Sequence, residues 1–166
     1  MADPADQAFD ELFRREHPRL VALALVLTGS REAAGDIAQE ALIRAYRAWS
    51  SIRDLDRPGA WARRVTINLA TDWHRAQRRE QDTRERLAAM VPGIDCPSPD
   101  RERERFWQAV RDLPGRQRTV IALYYLEDMS VADVASTLEI AEGTVKATLF
   151  KARRALAKTL TLEVDR

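Results

Sequence analysis

The stretch 130–158, SVADVASTLEIAEGTVKATLFKARRALAK, decides the fold. It divides into two amphipathic segments separated by a few residues. In the first, Val131, Val134, Ala135 and Leu138 recur at spacings of three and four. That spacing puts their apolar atoms on one face of a helix of about eight residues. Ser130 stands in front of it as an N-cap, and Asp133 suits the positive helix start. Past Glu139, Ile140 and Ala141 a second helix begins, with Glu142 in its first turn. Val145, Leu149, Ala152 and Leu156 form its buried stripe.

The remaining faces of the second helix carry Gly143, Thr144, Lys146, Ala147, Thr148, Lys151, Arg154 and Lys158. Small residues at a helix start, with cations further along, suit insertion into the DNA major groove. The tip then meets base edges and the flank holds phosphates. A short helix, a tight turn and a basic second helix make a helix-turn-helix. An ordinary antiparallel helix pair with a solvated basic face shares this spacing.

Charge separates the two readings. From 120 to 140 there is no Lys or Arg, but there are Glu127, Asp128, Asp133 and Glu139. From 143 to 160 there are Lys146, Lys151, Arg153, Arg154 and Lys158 and no acid. The net charge of +1 over 166 residues hides this separation, and a polyanion responds to the local field.

The chain has room for one ordinary domain or two small ones. Its 45% hydrophobic content permits real cores, and Ala, Leu, Arg and Glu outnumber β-branched runs, so an all-α protein is expected. The lone Cys96 excludes an internal disulfide and fits a reducing, cytoplasmic setting. The apolar run 20–27, LVALALVL, is too short to cross a bilayer, and the acids before it are wrong for a signal peptide. A buried helix, with no membrane insertion, is expected there.

Taken in order, Phe9, Leu12, Phe13, Leu20, Leu23 and Leu27 mark a first helical region that Pro18 kinks or restarts. Gly29 then acts as a C′ residue and Ser30 as the next N-cap. A second helix over 31–49 buries Ala34, Ile37, Ala38, Ala41, Leu42, Ala45 and Trp49. Away from that stripe lie Asp36, Gln39, Glu40, Ile43, Arg44 and Arg47. Such a face is solvated by default, but Ile43 among polar residues hints at docking.

A polar loop over 50–59 leads to Pro58, which suits the first turn of a third helix over 59–79. That helix carries Trp61, Val65, Leu69 and Trp73 as an apolar ladder. Arg63, Arg64, Asn68, Thr71 and Arg75 lie away from it. Arginines mixed with amide and aromatic side chains suit a single-stranded or opened nucleic acid. A surface helix over a buried Trp ladder is the alternative. His74 reads as a surface or phosphate-facing residue.

Residues 80–104 form the linker, with Pro92, Gly93, Pro97 and Pro99 and flanks able to extend the neighbouring helices. About twenty such residues span roughly 70 Å when extended, so the two halves need not touch. Phe106, Val110 and Leu113 open the second half, and Pro114 starts a helix with Val120, Ile121, Tyr124 and Tyr125. No Cys/His spacing supports a metal, and no phosphate-cradling Gly loop or nucleophile elbow is present. Neither a cofactor nor an enzyme activity is expected.

Several motifs resemble the sigma-70 family of bacterial RNA polymerase sigma factors, of the extracytoplasmic-function (ECF) type. Asp36-Ile37-Ala38-Gln39-Glu40-Ala41 with Arg44-Ala45-Tyr46-Arg47-Ala48-Trp49 is similar to the core-binding helix. Trp61-Ala62-Arg63-Arg64-Val65 with Asn68-Leu69-Ala70 and Asp72 resembles the helix that reads the −10 element. Leu113-Pro114-Gly115-Arg116-Gln117-Arg118, Ser130-Val131-Ala132-Asp133-Val134-Ala135 and Glu142-Gly143-Thr144-Val145-Lys146 resemble the −35-binding domain. Their order and spacing cover nearly the whole chain.

The resemblance implies two small helical domains joined by a flexible linker. These are a region 2 bundle over 5–79, the linker over 80–104 and a region 4 helix-turn-helix over 105–162. It implies core-polymerase contacts at Asp36, Gln39, Glu40, Ile43, Arg44 and Arg47. Contacts to the −10 element fall to Asp54, Asp56, Trp61, Arg64, Asn68, Thr71 and Arg75. Those to the −35 element fall to Gly143, Thr144, Lys146, Ala147, Thr148, Lys151 and Arg154. Implied partners are the β′ clamp helices and β flap of core RNA polymerase and promoter DNA, with an anti-sigma factor as a further candidate. Capture of an unpaired base drives melting without nucleotide hydrolysis. A free-standing helix-turn-helix regulator and a protein-only helical adaptor are the rival readings. Departures from the family are Glu139, where Gly is frequent, Ala141 at the cap, Ala147-Thr148 for Ser-Arg, and Ile67 for a polar residue. If the turn needs positive φ, Glu139 carries strain of about 1 kcal/mol.

Overall fold

A computed structural model describes residues 4–84 and 101–164, and all regular structure among them is helical. The order is α1 (Pro4–Thr28), α2 (Arg31–Arg47), α3 (Trp49–Ile52), α4 (Pro58–Arg84), α5 (Arg101–Arg111), α6 (Gly115–Ile121), a π-helical turn (Ala122–Leu126), α7 (Val131–Leu138) and α8 (Glu142–Val164). Cys96 and the prolines read as the linker lie outside the described residues.

In the first half α1, α2 and α4 pack on one another through small residues. Ala38, Ala41 and Ala62 surround Leu20 and Leu42, all nearly sealed from water. The alanines let the helix axes approach closely enough for ridge-into-groove packing. α1 runs unbroken through Pro18, whose exposed position leaves the carbonyl it cannot serve open to water. Gly29 ends the helix with φ +73°, and Ser30 accepts from the Ala33 amide at 3.2 Å, as the spacing predicts.

Two local expectations are corrected. The stretch read as a polar loop begins with a helical turn, Trp49–Ile52, because Ile52 is buried against Phe9, Leu12 and Ala45. On α4 the buried line is Ala62, Thr66, Ile67 and Ala70. Trp61, Val65, Leu69 and Trp73 sit half-buried at its edge. Thr66 fits an apolar line because its hydroxyl donates to the Ala62 carbonyl at 3.0 Å.

The second half closes round Val110, Val120, Ile121, Leu123, Val134, Val145, Leu149, Ala152 and Leu156. Pro114, with φ −50° and ψ 140°, stands at the N-cap of α6. The π-helical turn, which local periodicity does not signal, then carries the chain to Asp128, whose φ is +51°.

The halves are not independent bodies. α1 packs against α5, α6 and the π-helical turn, and α4 packs against α7. One continuous apolar cluster joins Leu23, Val26, Leu27, Ile67 and Ala70 to Val110, Leu113, Val120 and Leu123. The expectation that the halves need not touch gives way to this seam. Ile67, noted as a departure beside Asn68, is one of the residues buried in it.

Candidate nucleic-acid interface

The helix-turn-helix forms as its spacing predicts. Ser130 Oγ accepts from the Asp133 amide at 3.1 Å and donates to its carboxylate at 2.7 Å, a two-way cap at the start of α7. At the other end Glu139 is left-handed, with φ 52° and ψ 47°. The Ile140 amide donates to the Ala135 carbonyl at 3.0 Å and the Glu139 amide to Ser136 at 3.3 Å. That is a Schellman turn, with a non-glycine residue where glycine is preferred. Ala141 has no side-chain oxygen to cap α8, so Glu142 supplies the only acid at that helix start.

On α8, Val145, Leu149, Ala152 and Leu156 point inward and are nearly fully buried. Each of the larger ones contributes about 1.5–3 kcal/mol of burial. The opposite face is open: Gly143, Lys146, Ala147, Lys151 and Arg154 are exposed. Thr144 and Thr148 are half-buried, and the Thr148 hydroxyl donates to the Thr144 carbonyl at 2.7 Å. Thr148 therefore offers a methyl group more readily than a hydroxyl. Phe150 is 61% exposed on this same face, three residues past Ala147, with the Arg154 guanidinium 5.7 Å from its ring centroid. The sequence reading omitted it, although its spacing from Lys146 and Ala147 places it beside them.

The outer face of α2 is also open. Asp36, Gln39, Ile43, Arg44 and Arg47 are exposed, and Glu40 holds Arg44 at 2.7 Å. Ile43 stands with Phe13 and Tyr46, likewise exposed, along a groove of about 630 Å³ between α1 and α2. Phe13 and Tyr46 are apolar additions to the face that the sequence reading described.

α4 is different. Asn68 and Thr71 are exposed, though the Thr71 hydroxyl donates to Ile67 at 2.8 Å. Arg75 holds Asp72 at 3.2 Å, Trp61 is half-buried, and Asp54 and Asp56 are exposed. Arg64, however, is paired with Glu139 of the helix-turn-helix. Arg63 turns fully inward: its Nη2 lies 2.8 Å from Glu16 and its Nε 2.5 Å from Glu127, and both carboxylates are 3% exposed. Arg57 pairs with Asp133. The Arg57 pair and the Ser130 hydroxyl leave the Asp133 carboxyl below the usual carboxylate range, the hydroxyl acting more strongly.

His74 is corrected as well. It faces the seam, with Nε2 2.7 Å from the Leu27 carbonyl and 3.0 Å from Arg118 Nη1. Arg118 donates to the Leu27 and Leu113 carbonyls. Burial pushes its guanidinium below the ordinary arginine value, against the opposing pull of Asp112. On the far side of the second half, Arg153 donates to the Tyr125 hydroxyl at 3.0 Å and lies 5.3 Å from the Tyr124 ring centroid. Those contacts, the Tyr125 bond first, raise its pKa. No helix among the described residues is long and apolar enough to cross a membrane.

Comparison with known proteins places these surfaces in context. Residues 12–80 match the family model of sigma-70 region 2, and residues 103–156 match that of sigma-70 region 4. The RNA polymerase sigma-E factor of Streptomyces coelicolor is 34% identical over 92% of this chain and 85% of its own length. The ECF RNA polymerase sigma factor SigM of Mycobacterium tuberculosis is 33% identical over 92% of this chain and 77% of its own. The sigma factor RpoE of Bartonella quintana, solved in complex with the anti-sigma factor NepR, superposes with a TM-score of 0.75. That alignment has 25% identity and covers 95% of this chain and 98% of that one.

Proposed function

Because the chain belongs to the sigma-70 family and is an ECF-type RNA polymerase sigma factor that serves promoter recognition and transcription initiation, we propose how its surfaces divide that work. The exposed face of α2, with Asp36, Gln39, Glu40, Ile43, Arg44 and Arg47, docks on core polymerase at the β′ clamp helices, and the groove beside Phe13 and Tyr46 extends that contact. Region 4 meets the β flap. The open face of α8 enters the major groove at the −35 element. α4, with Trp61, Arg64, Asn68, Thr71 and Arg75, and the turn bearing Asp54 and Asp56, hold the −10 strand.

The observation that carries this division is the contrast on α8. Its apolar stripe is spent on the core, while Lys146, Lys151 and Arg154 stand free of it beside small residues. Cations so placed neutralise phosphates and leave the helix tip for base edges. The mechanism needs no catalytic step: binding energy for an unstacked base offsets the cost of melting. The chain acts in the cytoplasm, where its polymerase partner is, and an anti-sigma factor is a further partner.

Asn68→Ala impairs open-complex formation more than polymerase binding, and Glu40→Lys does the reverse. A gel shift with and without core enzyme, scored beside permanganate reactivity of the −10 region, tests both. Equal loss of core binding in the two variants rejects the division of surfaces. Tight, specific duplex binding by the isolated chain would instead make it a free-standing regulator.

A further inference from the structure

We infer that α8 reads its duplex through thymine methyl groups rather than through hydrogen bonds to guanine, with Ala147 and Thr148 as the side chains that set this preference. The inference rests on the reading of α8 as the helix that enters the major groove, and it names the bases that helix selects.

Residues at the start of a recognition helix reach base edges, whereas phosphates are held from its flanks and beyond. On α8 the open face of that start is poor in side-chain donors. Gly143 and Ala147 are exposed and have none. The Thr148 hydroxyl spends its proton on the Thr144 carbonyl at 2.7 Å, which leaves a methyl group as its contribution. Lys146 lies 3.9 Å from Glu142, one turn back. Phe150 is 61% exposed beside Ala147 and prolongs the apolar surface. Arg154 stands about two turns past Ala147 and rests against the Phe150 ring, 5.7 Å from its centroid.

Guanine is read by a fork of donors on its O6 and N7, which arginine supplies best. Position 148 holds instead a residue whose one proton is already placed. Thymine asks for the opposite: its 5-methyl group stands in the major groove and is met by Ala, by a Thr methyl or by Phe. All of these occur together here. A guanine edge turned to this surface would lose water and gain no partner, and that penalty selects against G·C pairs there. Lys146, Lys151 and Arg154 remain for phosphates, which carry no sequence information.

The test uses holoenzyme assembled with the full chain, and a pool of promoter duplexes randomised over both elements. The upstream element it selects carries A·T pairs. The selected duplex is then remade with deoxyuridine for upstream thymine, which removes the methyl groups alone. Each methyl in contact costs about threefold to fivefold in affinity when removed, the effect of exposing one buried carbon. Thr148→Ser keeps the hydroxyl and loses the methyl. It weakens binding by the same factor and no longer responds to uridine at one position. Thr148→Val keeps the methyl and loses the hydroxyl, and it retains both the affinity and the uridine response of the parent. Ala147→Ser combined with Thr148→Arg moves the selected pairs to G·C.

Uridine that changes nothing at any upstream position overturns the inference. So does a selected upstream element without A·T pairs, or a loss in Thr148→Val equal to that in Thr148→Ser. Replacing the whole upstream element with unselected sequence separates the two levels. If binding then weakens although uridine has no effect, only the methyl readout fails. If binding is unaltered, the reading of α8 fails, and this inference with it.

Discussion

Arg63 of α4 donates to Glu127 across the seam at 2.5 Å, although the residues stand 64 positions apart in the chain. Glu16 of α1 takes the other end of the same guanidinium at 2.8 Å. A basic residue of α4, the helix proposed to hold the −10 strand, is thus committed to the interior of the protein.

Arg63→Ala leaves two carboxylates in a site nearly closed to water. Removing one partner from such a cluster costs about 3–5 kcal/mol. Urea unfolding at neutral pH will show a loss of that size. A loss below about 1 kcal/mol would mean that water reaches the cluster.

Gly59→Ala and Gly35→Ala should act in opposite directions. A Cβ at Gly59 would lie 2.6 Å from Glu16 Oε1 and 2.9 Å from Arg63 Nη1, so the ion cluster must shift. Overpacking of this kind costs about 1–3 kcal/mol. A Cβ at Gly35, inside α2, meets nothing within 4 Å. There the variant gains up to about 1 kcal/mol of helix propensity. Chemical denaturation of the two single variants compares the signs directly.

On α8, Leu149→Ala and Lys151→Ala separate folding from binding. Leu149 is 3% exposed, and truncating it costs about 2–5 kcal/mol. Lys151 is exposed, and its loss leaves the melting curve within about 0.5 kcal/mol. In holoenzyme, however, the slope of log affinity for promoter duplex against log salt should fall by about one unit. Filter binding across a salt series measures it, and an unchanged slope would remove Lys151 from the phosphate contacts.

Asp133 gives a pH signature. Its folded-state pKa lies below the 3.8 of an unperturbed Asp. A depressed carboxylate contributes stability that is complete above the unfolded value and is lost as pH falls through the folded one. Asp133→Asn is therefore less stable than the parent at pH 7, and the difference narrows below about pH 4. Denaturant midpoints of both proteins at the two pH values test this. A difference that persists in acid would assign the effect to the amide side chain rather than to charge.

How far the site was legible varies by element. Ser130, Asp133 and the stripe Val145, Leu149, Ala152 and Leu156 were readable because capping and helical period are local properties. The positive φ of Glu139 was foreseeable from the turn it occupies. The apolar ladder of α4 was misjudged because four-residue spacing favoured the large side chains. The real contact line uses Ala62, Thr66, Ile67 and Ala70, which are small or satisfy their own hydroxyl. Phe150 escaped notice because an exposed aromatic ring is expected inside. His74 and Arg118 were hidden because their partners are carbonyls at helix ends, which carry no sequence signal.

From sequence alone came the longer helices, the Ser30 and Ser130 caps, the helix-turn-helix and the separation of acidic and basic runs, since each depends on neighbours within a turn or two. Only the tertiary structure decided which cations remain free. Arg57 meets Asp133 across 76 positions, and Arg64 meets Glu139 in the same seam. Whether an arginine faces solvent or a carboxylate is set by how two packed halves align their apolar surfaces, and that alignment is a property of the whole fold.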